Sequence, residues 1–499
     1  MPLRVYVRAA AALAGAAAML CSTVVAADDP ADVARPAQDF SRAEPLEALQ
    51  GGAATSRKHT IDRNAFSQAS GNLDFKREFD FKIGNGIFRK TWVSAPASTE
   101  ASDGLGPLFN ARSCQGCHLK DGRGHPPSAN WPEDNAISML MRLSVPPQSD
   151  EHRKSLKARL ISTVDEPTYG GQLQDFAIHG QDSEGQIHIE YEEIPVRLPD
   201  GTKFSLRKPS YTITETGFGK MHADVMMSPR VANPMIGLGL LEAVKAQDIL
   251  ALADPDDRDG DGISGRPNRV WSQEHKKVML GRFGWKAGQP TVSQQTAAAF
   301  AGDMGISTPL NPGGAGDCTK AQTACLAAPN GNTLRLGKVE ASPAMFDLVA
   351  FYSRNLAVPR RRDVNGPQVL AGKKLFYGAG CISCHRPKFV TGREGVQAGL
   401  AGQLIWPYSD MLLHDMGEEL ADNRPEGVAD GREWRTPPLW GIGLTKDVSG
   451  HTFFLHDGRA RGLLEAILWH GGEAEAAKQK VAGMTKAERA QLVAFLNSL

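Results

Sequence analysis

The residues best suited to chemistry come as a repeated run. "LFNARSCQGCH" ends at His118 and "LFYGAGCISCH" ends at His385. Each reads Leu-Phe, four residues, then Cys-x-x-Cys-His, so Cys114, Cys117 and His118 match Cys381, Cys384 and His385. A Cys-x-x-Cys pair alone serves as a zinc half-site or a redox dithiol. A zinc site needs a closed set of ligands, and neither motif has a second cysteine pair nearby. A dithiol motif sits at a helix start in a thioredoxin-like setting. The histidine directly after the second cysteine changes the chemistry to that of c-type haem attachment. The two thiols add to the vinyl groups as thioethers, and the imidazole reaches the iron from the same side. Two copies in one frame predict two covalently bound c-type haems, with His118 and His385 as axial ligands.

Such motifs need small helical units around them, and the chain is long enough for roughly two to four domains. A second repeated element supports this. Pro-x-x-Gly-x-Gly-Leu follows an arginine in "SPRVANPMIGLGLLEAV" and again in "EWRTPPLWGIGLTKDV", at Arg230 and Arg435. The interval from the motif histidine is 112 residues in the first copy and 50 in the second. The extra length holds "QIHIEYEEIPVRLPDGTKFSLRKPSYTIT", whose alternation around Asp200-Gly201 predicts a β-hairpin inserted into the first copy. Helices are predicted at "PTVSQQTAAAFAGDM", with Pro290 in its first turn, and at "SPAMFDLVAFYSRNL", capped by Ser342 before Pro343. A last helix follows the Thr485–Glu488 capping box.

Charge and leader set the context. Lys plus Arg and Asp plus Glu both number 56, a balance that argues against a nucleic-acid binder. Arg4 and Arg8, the apolar "AAALAGAAAML" and "VAA" before Asp28 read as a signal peptide over 1–27, the other reading being a retained short anchor. Cys21 follows the bulky Leu20, which does not suit a lipoprotein site. No later stretch is apolar enough to span a membrane. The expectation is a periplasmic protein with no membrane span in the mature chain. There disulfides persist, and Cys318 and Cys325 bracket a Gly-rich loop where a disulfide is expected. Residues 28–60 read as a flexible lead-in, 61–340 as the first haem domain with a β-rich insertion at about 155–225, and 341–499 as the second. The fold class expected is mainly α, two cytochrome c-like haem units with that insertion.

The second half, through "CISCH", "RTPPLWGIGL" and "FFLHDGRARGLLEAILWH", resembles the bacterial di-haem cytochrome c peroxidase superfamily, which includes the methylamine-utilisation di-haem enzyme. The chain from about 70 to 499 resembles more closely the di-haem oxidoreductase family, once labelled "thiol oxidoreductase". "GQLQD", "DGDGISGRPNRVW", "GRFGWKAGQPT" and "PYSDMLLHDMG" carry that likeness.

The resemblance implies further roles. It places the sixth ligand of the second haem fourteen residues after His456, at His470, with Met411, His414 and Met416 as rivals. Two imidazoles would make that iron low-spin and suited to electron transfer. It places Arg230 and Arg435 beside haem propionates, the plain alternative being surface arginines. The first copy has no "HDG" element and no following ligand, so its iron is expected to be open to an oxidant. Distal candidates are Gln172 and Gln174 of "GQLQD", then Glu166, His179 and His222, although glutamines there could equally be ordinary strand residues. Asp257, Asp259 and Asp261 alternate before Gly262 like the start of an EF-hand, yet Asn268 stands where the final Glu belongs, so calcium competes with a solvated turn. Trp285 is a candidate conduit between the haems or a core tryptophan.

The functional expectation is a peroxidase-like di-haem oxidoreductase, with haem one binding the oxidant and haem two transferring electrons. The alternative is a non-catalytic electron-transfer cytochrome serving another exported redox or iron-uptake protein. A small redox protein is the expected partner in either case. Thiol–disulfide exchange is rejected, since thioether sulfurs cannot exchange.

Overall fold

The computed structural model describes residues 34–135 and 137–499. The signal segment 1–27, with Cys21, lies outside the described residues. The fold is mixed rather than mainly α. About 29% of the chain is helical and 16% is strand, and the strands form six two-stranded sheets. The excess of strand comes from long-range pairing of short loop segments, which local periodicity does not reveal.

Helix α1 (Phe75–Phe88) is capped by Asp74, whose side chain accepts from Arg77 N. After the single turn Cys114–Cys117, strand β1 (Met139–Ser144) pairs with β4 (Met226–Val231). Between them lies the hairpin β2 (Gln186–Arg197) and β3 (Lys203–Thr214), closed at Asp200-Gly201 as expected, with Gly201 at φ 83°. Helix α2 (Val292–Met304) is capped by Thr291, so Pro290 stands before the helix instead of inside its first turn. Helix α3 (Pro343–Arg354) has the Ser342 cap and Pro343 start that were expected. Helix α4 (Pro367–Ala379) leads into the second motif, and strands β5 (Leu413–Asp415) and β6 (Glu433–Arg435) pair after it. Helices α5 (Leu463–Leu468), α6 (Glu475–Ala482) and α7 (Lys486–Ser498) finish the chain, α7 behind the Thr485–Glu488 capping box.

Two aromatic cores flank the motifs. Phe81, Phe88, Phe300, Phe346 and Tyr352 pack beside the first, and Phe376, Tyr408, Leu492 and Phe495 beside the second. A third core mixes the halves, with Phe66, Ile236 and Leu240 against Phe389, Ile405 and Trp440. Its centre is the repeated glycine turn. Gly237 and Gly441 occupy equivalent places with φ 71° and 75°. A Cβ on Gly237 would strike the Trp440 ring, and one on Gly441 would strike Ile236, the residue equivalent to Trp440.

Two packing relations differ from the sequence reading. The stretch expected as a flexible lead-in is packed from residue 44 on. Glu47 is fully buried, 2.8 Å from Lys373, and Lys373 also meets Glu44 at 2.9 Å. Charge pairing with partners some three hundred residues away compensates for its poor apolar content. The hairpin, in turn, lies on the second half. Tyr211 donates to Asp457 at 2.9 Å, Arg207 donates to the Gly458 carbonyl at 3.0 Å, and Arg461 meets Glu193 at 2.7 Å.

Candidate functional site

Each Cys-x-x-Cys-His turn opens onto a buried cavity. Cys114, Cys117 and His118 line one of about 360 Å³, and Cys381, Cys384 and His385 line another of about 390 Å³. Ser113 caps the first turn by accepting from Gly116 N. Gly380, at φ 90°, ends α4 and turns the chain into the second. The four cysteines are unpaired. Burial pushes the Cys114 and Cys381 thiols up to about 12.

The histidines share one arrangement. His118 Nδ1 bonds the Asn233 carbonyl at 2.8 Å, His385 Nδ1 the Tyr408 carbonyl at 2.9 Å, and His470 Nδ1 the Ala466 carbonyl at 2.7 Å. A carbonyl fixes the proton on Nδ1 and leaves Nε2 as a lone-pair donor. Burial lowers all three, His118 and His385 to about 4, so the rings are neutral. His385, His414, His456 and His470 line the second cavity, whereas among the described residues His118 is the one histidine lining the first.

The rivals of His470 differ in their surroundings. His414 is held between Asp410 at 2.8 Å and Glu473 at 2.6 Å, with both ring nitrogens occupied, and Asp410 and Cys384 raise its pKa despite burial. It has no free nitrogen for iron. Met411 is buried in the shared core and does not line the cavity; Met416 does line it.

The distal candidates at the first cavity are elsewhere. Gln172 Nε2 donates to Asn110 Oδ1, the Gly302 carbonyl and Asp303 Oδ1, and Gln174 Nε2 donates to the Gly302 carbonyl at 2.8 Å. Neither lines the cavity; both tie their loop to the end of α2. Glu166 accepts from Thr168, Tyr169 and His222 backbone amides and organises a turn. His179 and His222 do not line the cavity either.

Arg230 lines the first cavity and Arg435 lines both. Arg230 meets Glu426 at 2.9 Å, and Arg435 donates to the Gly284 carbonyl at 2.8 Å. The wall shared by the two cavities also contains Trp285 and Arg123. Trp285 donates to the Val231 carbonyl at 2.8 Å, and the Arg123 guanidinium lies 5.2 Å from its ring. Arg123, Arg424 and Glu426 were missed in the sequence, since each acts through a partner remote in the chain.

Outside the cavities, Cys318 and Cys325 form the expected disulfide, with Cα atoms 6.0 Å apart. Asp257, Asp259 and Asp261 are exposed, each with a carboxylate oxygen within 4.8 Å of the others, and Asp261 stands at the edge of the second cavity.

The residues present fit a haem in each cavity: a neutral imidazole with Nε2 free, two unpaired thiols and aromatic walls, with a buried Arg230 Nη2 in the first that has no hydrogen-bond partner and only Asp422 at 3.9 Å. Two such cavities define a class of protein that handles a pair of haems. The chain belongs to the family described as "Di-haem oxidoreductase, putative peroxidase", whose model matches residues 46–499. It is therefore an oxidoreductase of that family. No curated protein matches the chain. Among solved structures it is similar to hydrazine synthase of Kuenenia stuttgartiensis, with 20% identity and a TM-score of 0.21, over 33% of this chain and 57% of that one.

Proposed function

We propose that the protein is an exported, peroxidase-like oxidoreductase carrying two covalently attached c-type haems in two cytochrome c-like units. Cys114 and Cys117 would attach haem one, Cys381 and Cys384 haem two. His118 and His385 would be the proximal ligands and His470 the second ligand of haem two. The observation that carries this reading is the asymmetry of the cavities: two carbonyl-anchored imidazoles line one and a single one lines the other. A bound haem supplies one-electron chemistry and, where a coordination site is free, oxidant binding.

The chain's own groups then divide the work. His385 and His470, both lining the second cavity, would hold haem two with two imidazoles and leave it no free site, which suits electron transfer. His118 would be the protein's imidazole ligand to haem one. Arg230 and Arg435 offer guanidinium donors to propionates. Trp285, lining both cavities, supports a conduit role between them. A small exported redox protein would exchange electrons with haem two. Export to the periplasm is supported by the Cys318–Cys325 disulfide, and no helix among the described residues is long and apolar enough to cross a membrane. Calcium at Asp257, Asp259 and Asp261 belongs to the same reading, supported by their clustered oxygens.

A second reading, the electron-transfer cytochrome, is favoured by Met235 and Met304, whose side chains also line the first cavity. A thioether on haem one would close it to oxidants. EPR of the purified protein decides: a high-spin ferric signal alongside a low-spin one supports the peroxidase-like reading, and two low-spin signals support the carrier.

A further inference from the structure

The first cavity has a wall that neither the cysteine motif nor the histidine explains. Arg230 comes from strand β4 in the first half. Arg424 and Glu426 come from the loop before β6 in the second half. Arg230 Nη1 and Arg424 Nη1 both meet Glu426 Oε2, each at 2.9 Å. Arg142, on β1, lines the same cavity and makes no side-chain hydrogen bond or ion pair among the described residues. Arg230 and Arg424 thus share the Glu426 carboxylate, and the other carboxylate near Arg230, Asp422, stands 3.9 Å from its Nη2 and is taken up by Lys286 at 2.8 Å.

The deficit shows at individual atoms. Arg230 is 8% exposed and Arg424 3%, yet Arg230 Nη2 and Arg424 Nε have no hydrogen-bond partner. A buried charged N–H without an acceptor is costly, and native sites keep one where a ligand supplies the acceptor. The other carboxylates near Arg142 are Asp165, Asp303 and Asp317, and burial pushes all three up. Glu426 is held at about 2 despite its burial, because Arg230 and Arg424 flank it.

The arginines are also fixed in place. Lys286 of the first half donates to Asp422 Oδ1 at 2.8 Å, the Arg424 carbonyl at 2.9 Å and the Asp430 carbonyl at 2.7 Å. Asn268 donates to the Glu426 carbonyl at 3.0 Å. The loop carrying Arg424 is nailed to the first half, so its guanidinium is pre-organised before any ligand arrives.

We propose that Arg142, Arg230 and Arg424 form an oxyanion site on the wall of the first cavity, assembled from both halves of the chain, that takes a carboxylate or a similar small oxyanion. Two sources have this chemistry. One is a propionate of haem one, which rests on the haem reading above. The other is a free oxyanion entering the cavity, which does not.

The test uses the full-length holoprotein and its Arg424→Gln and Arg142→Gln variants, with thermal melts to verify folding. Haem is counted first, by the pyridine haemochrome. Sulfate binding is then measured by calorimetry in an anion-poor buffer, and the midpoint potential of each haem by spectroelectrochemistry. For a free anion, sulfate binds one per chain and each variant weakens it at least tenfold. For a propionate, sulfate does not bind, and Arg424→Gln lowers the haem-one potential by about 59 mV or more, a tenfold change in the oxidised-to-reduced ratio, while haem two stays fixed. The proposal is overturned if sulfate binding is absent or unaltered and both variants keep the wild-type potential. If Arg424→Gln does not fold, Arg142→Gln, which breaks no ion pair, gives the same decision. A haem count other than two sinks the haem reading, while the sulfate measurement still judges the site.

Discussion

His385 and His470 line the same cavity, 85 residues apart in the chain, each with Nδ1 held by a backbone carbonyl and Nε2 left free. The pairing gives the first prediction. His470→Ala converts the low-spin EPR signal of haem two to high-spin and leaves haem one unchanged. A low-spin component that survives the substitution moves the ligand to Met416, the thioether in that cavity wall.

Attachment is separable between the halves. Cys114→Ala with Cys117→Ala lowers the haem bound covalently after acid–acetone extraction from two per chain to one. Cys381→Ala with Cys384→Ala does the same, and the remaining spectrum then belongs to haem one alone. Stoichiometric zinc in the wild-type protein would contradict both.

Stability depends on pH through three buried carboxyls near the "GQLQD" loop. Burial raises Asp317 to about 6, Asp175 to about 7 and Glu184 to about 8, against hydrogen bonds that pull them down. Each folded value lies above the unfolded one, so the native state binds more protons between the two. Their contribution is present in full below the unfolded values and is lost as pH rises through the folded ones. The melting temperature therefore falls between about pH 5 and about pH 8. Glu184→Gln keeps the acceptor for Gln174 N and flattens that fall; an unchanged slope refutes the assignment.

Clustered carboxylates at Asp257, Asp259 and Asp261 repel unless a cation neutralises them. Chelation lowers the melting temperature by several degrees and slows inter-haem electron transfer without releasing haem. Asp259→Ala with Asp261→Ala reproduces the effect. If that variant melts like wild type and the purified protein lacks calcium, the loop is a solvated turn.

Gly237→Ala destabilises by about 2–4 kcal/mol, because it combines a positive φ with a collision against Trp440. Chemical denaturation measures it. Gly86→Ala, where no heavy atom would meet the new methyl, serves as the control.

Local signals carried far in this chain. Cys-x-x-Cys-His is contiguous, so both motifs were legible, as were the Ser342 and Thr485 caps and the Asp200-Gly201 turn. Signals made by remote partners were not. Glu47 reads as lead-in polarity until Lys373 and Arg361 bury it. Gln172 and Gln174 sit in a stretch shared with the family, but their amide N–H groups are engaged by Gly302 and Asp303, which no spacing rule reveals. The Arg424 loop acquires its place through Lys286 and Asn268, both remote in the chain.

The contacts of Gly237 with Trp440 and of Gly441 with Ile236 are the same contact made twice, with the roles exchanged. In separate chains that reciprocity is the signature of a two-fold symmetric dimer. Here a single polypeptide contains both partners, so neither can dissociate and each is free to diverge in chemistry. One copy could gain an Arg-rich wall and the other a second imidazole, while the glycine turns, which must still fit each other, constrain one another's change.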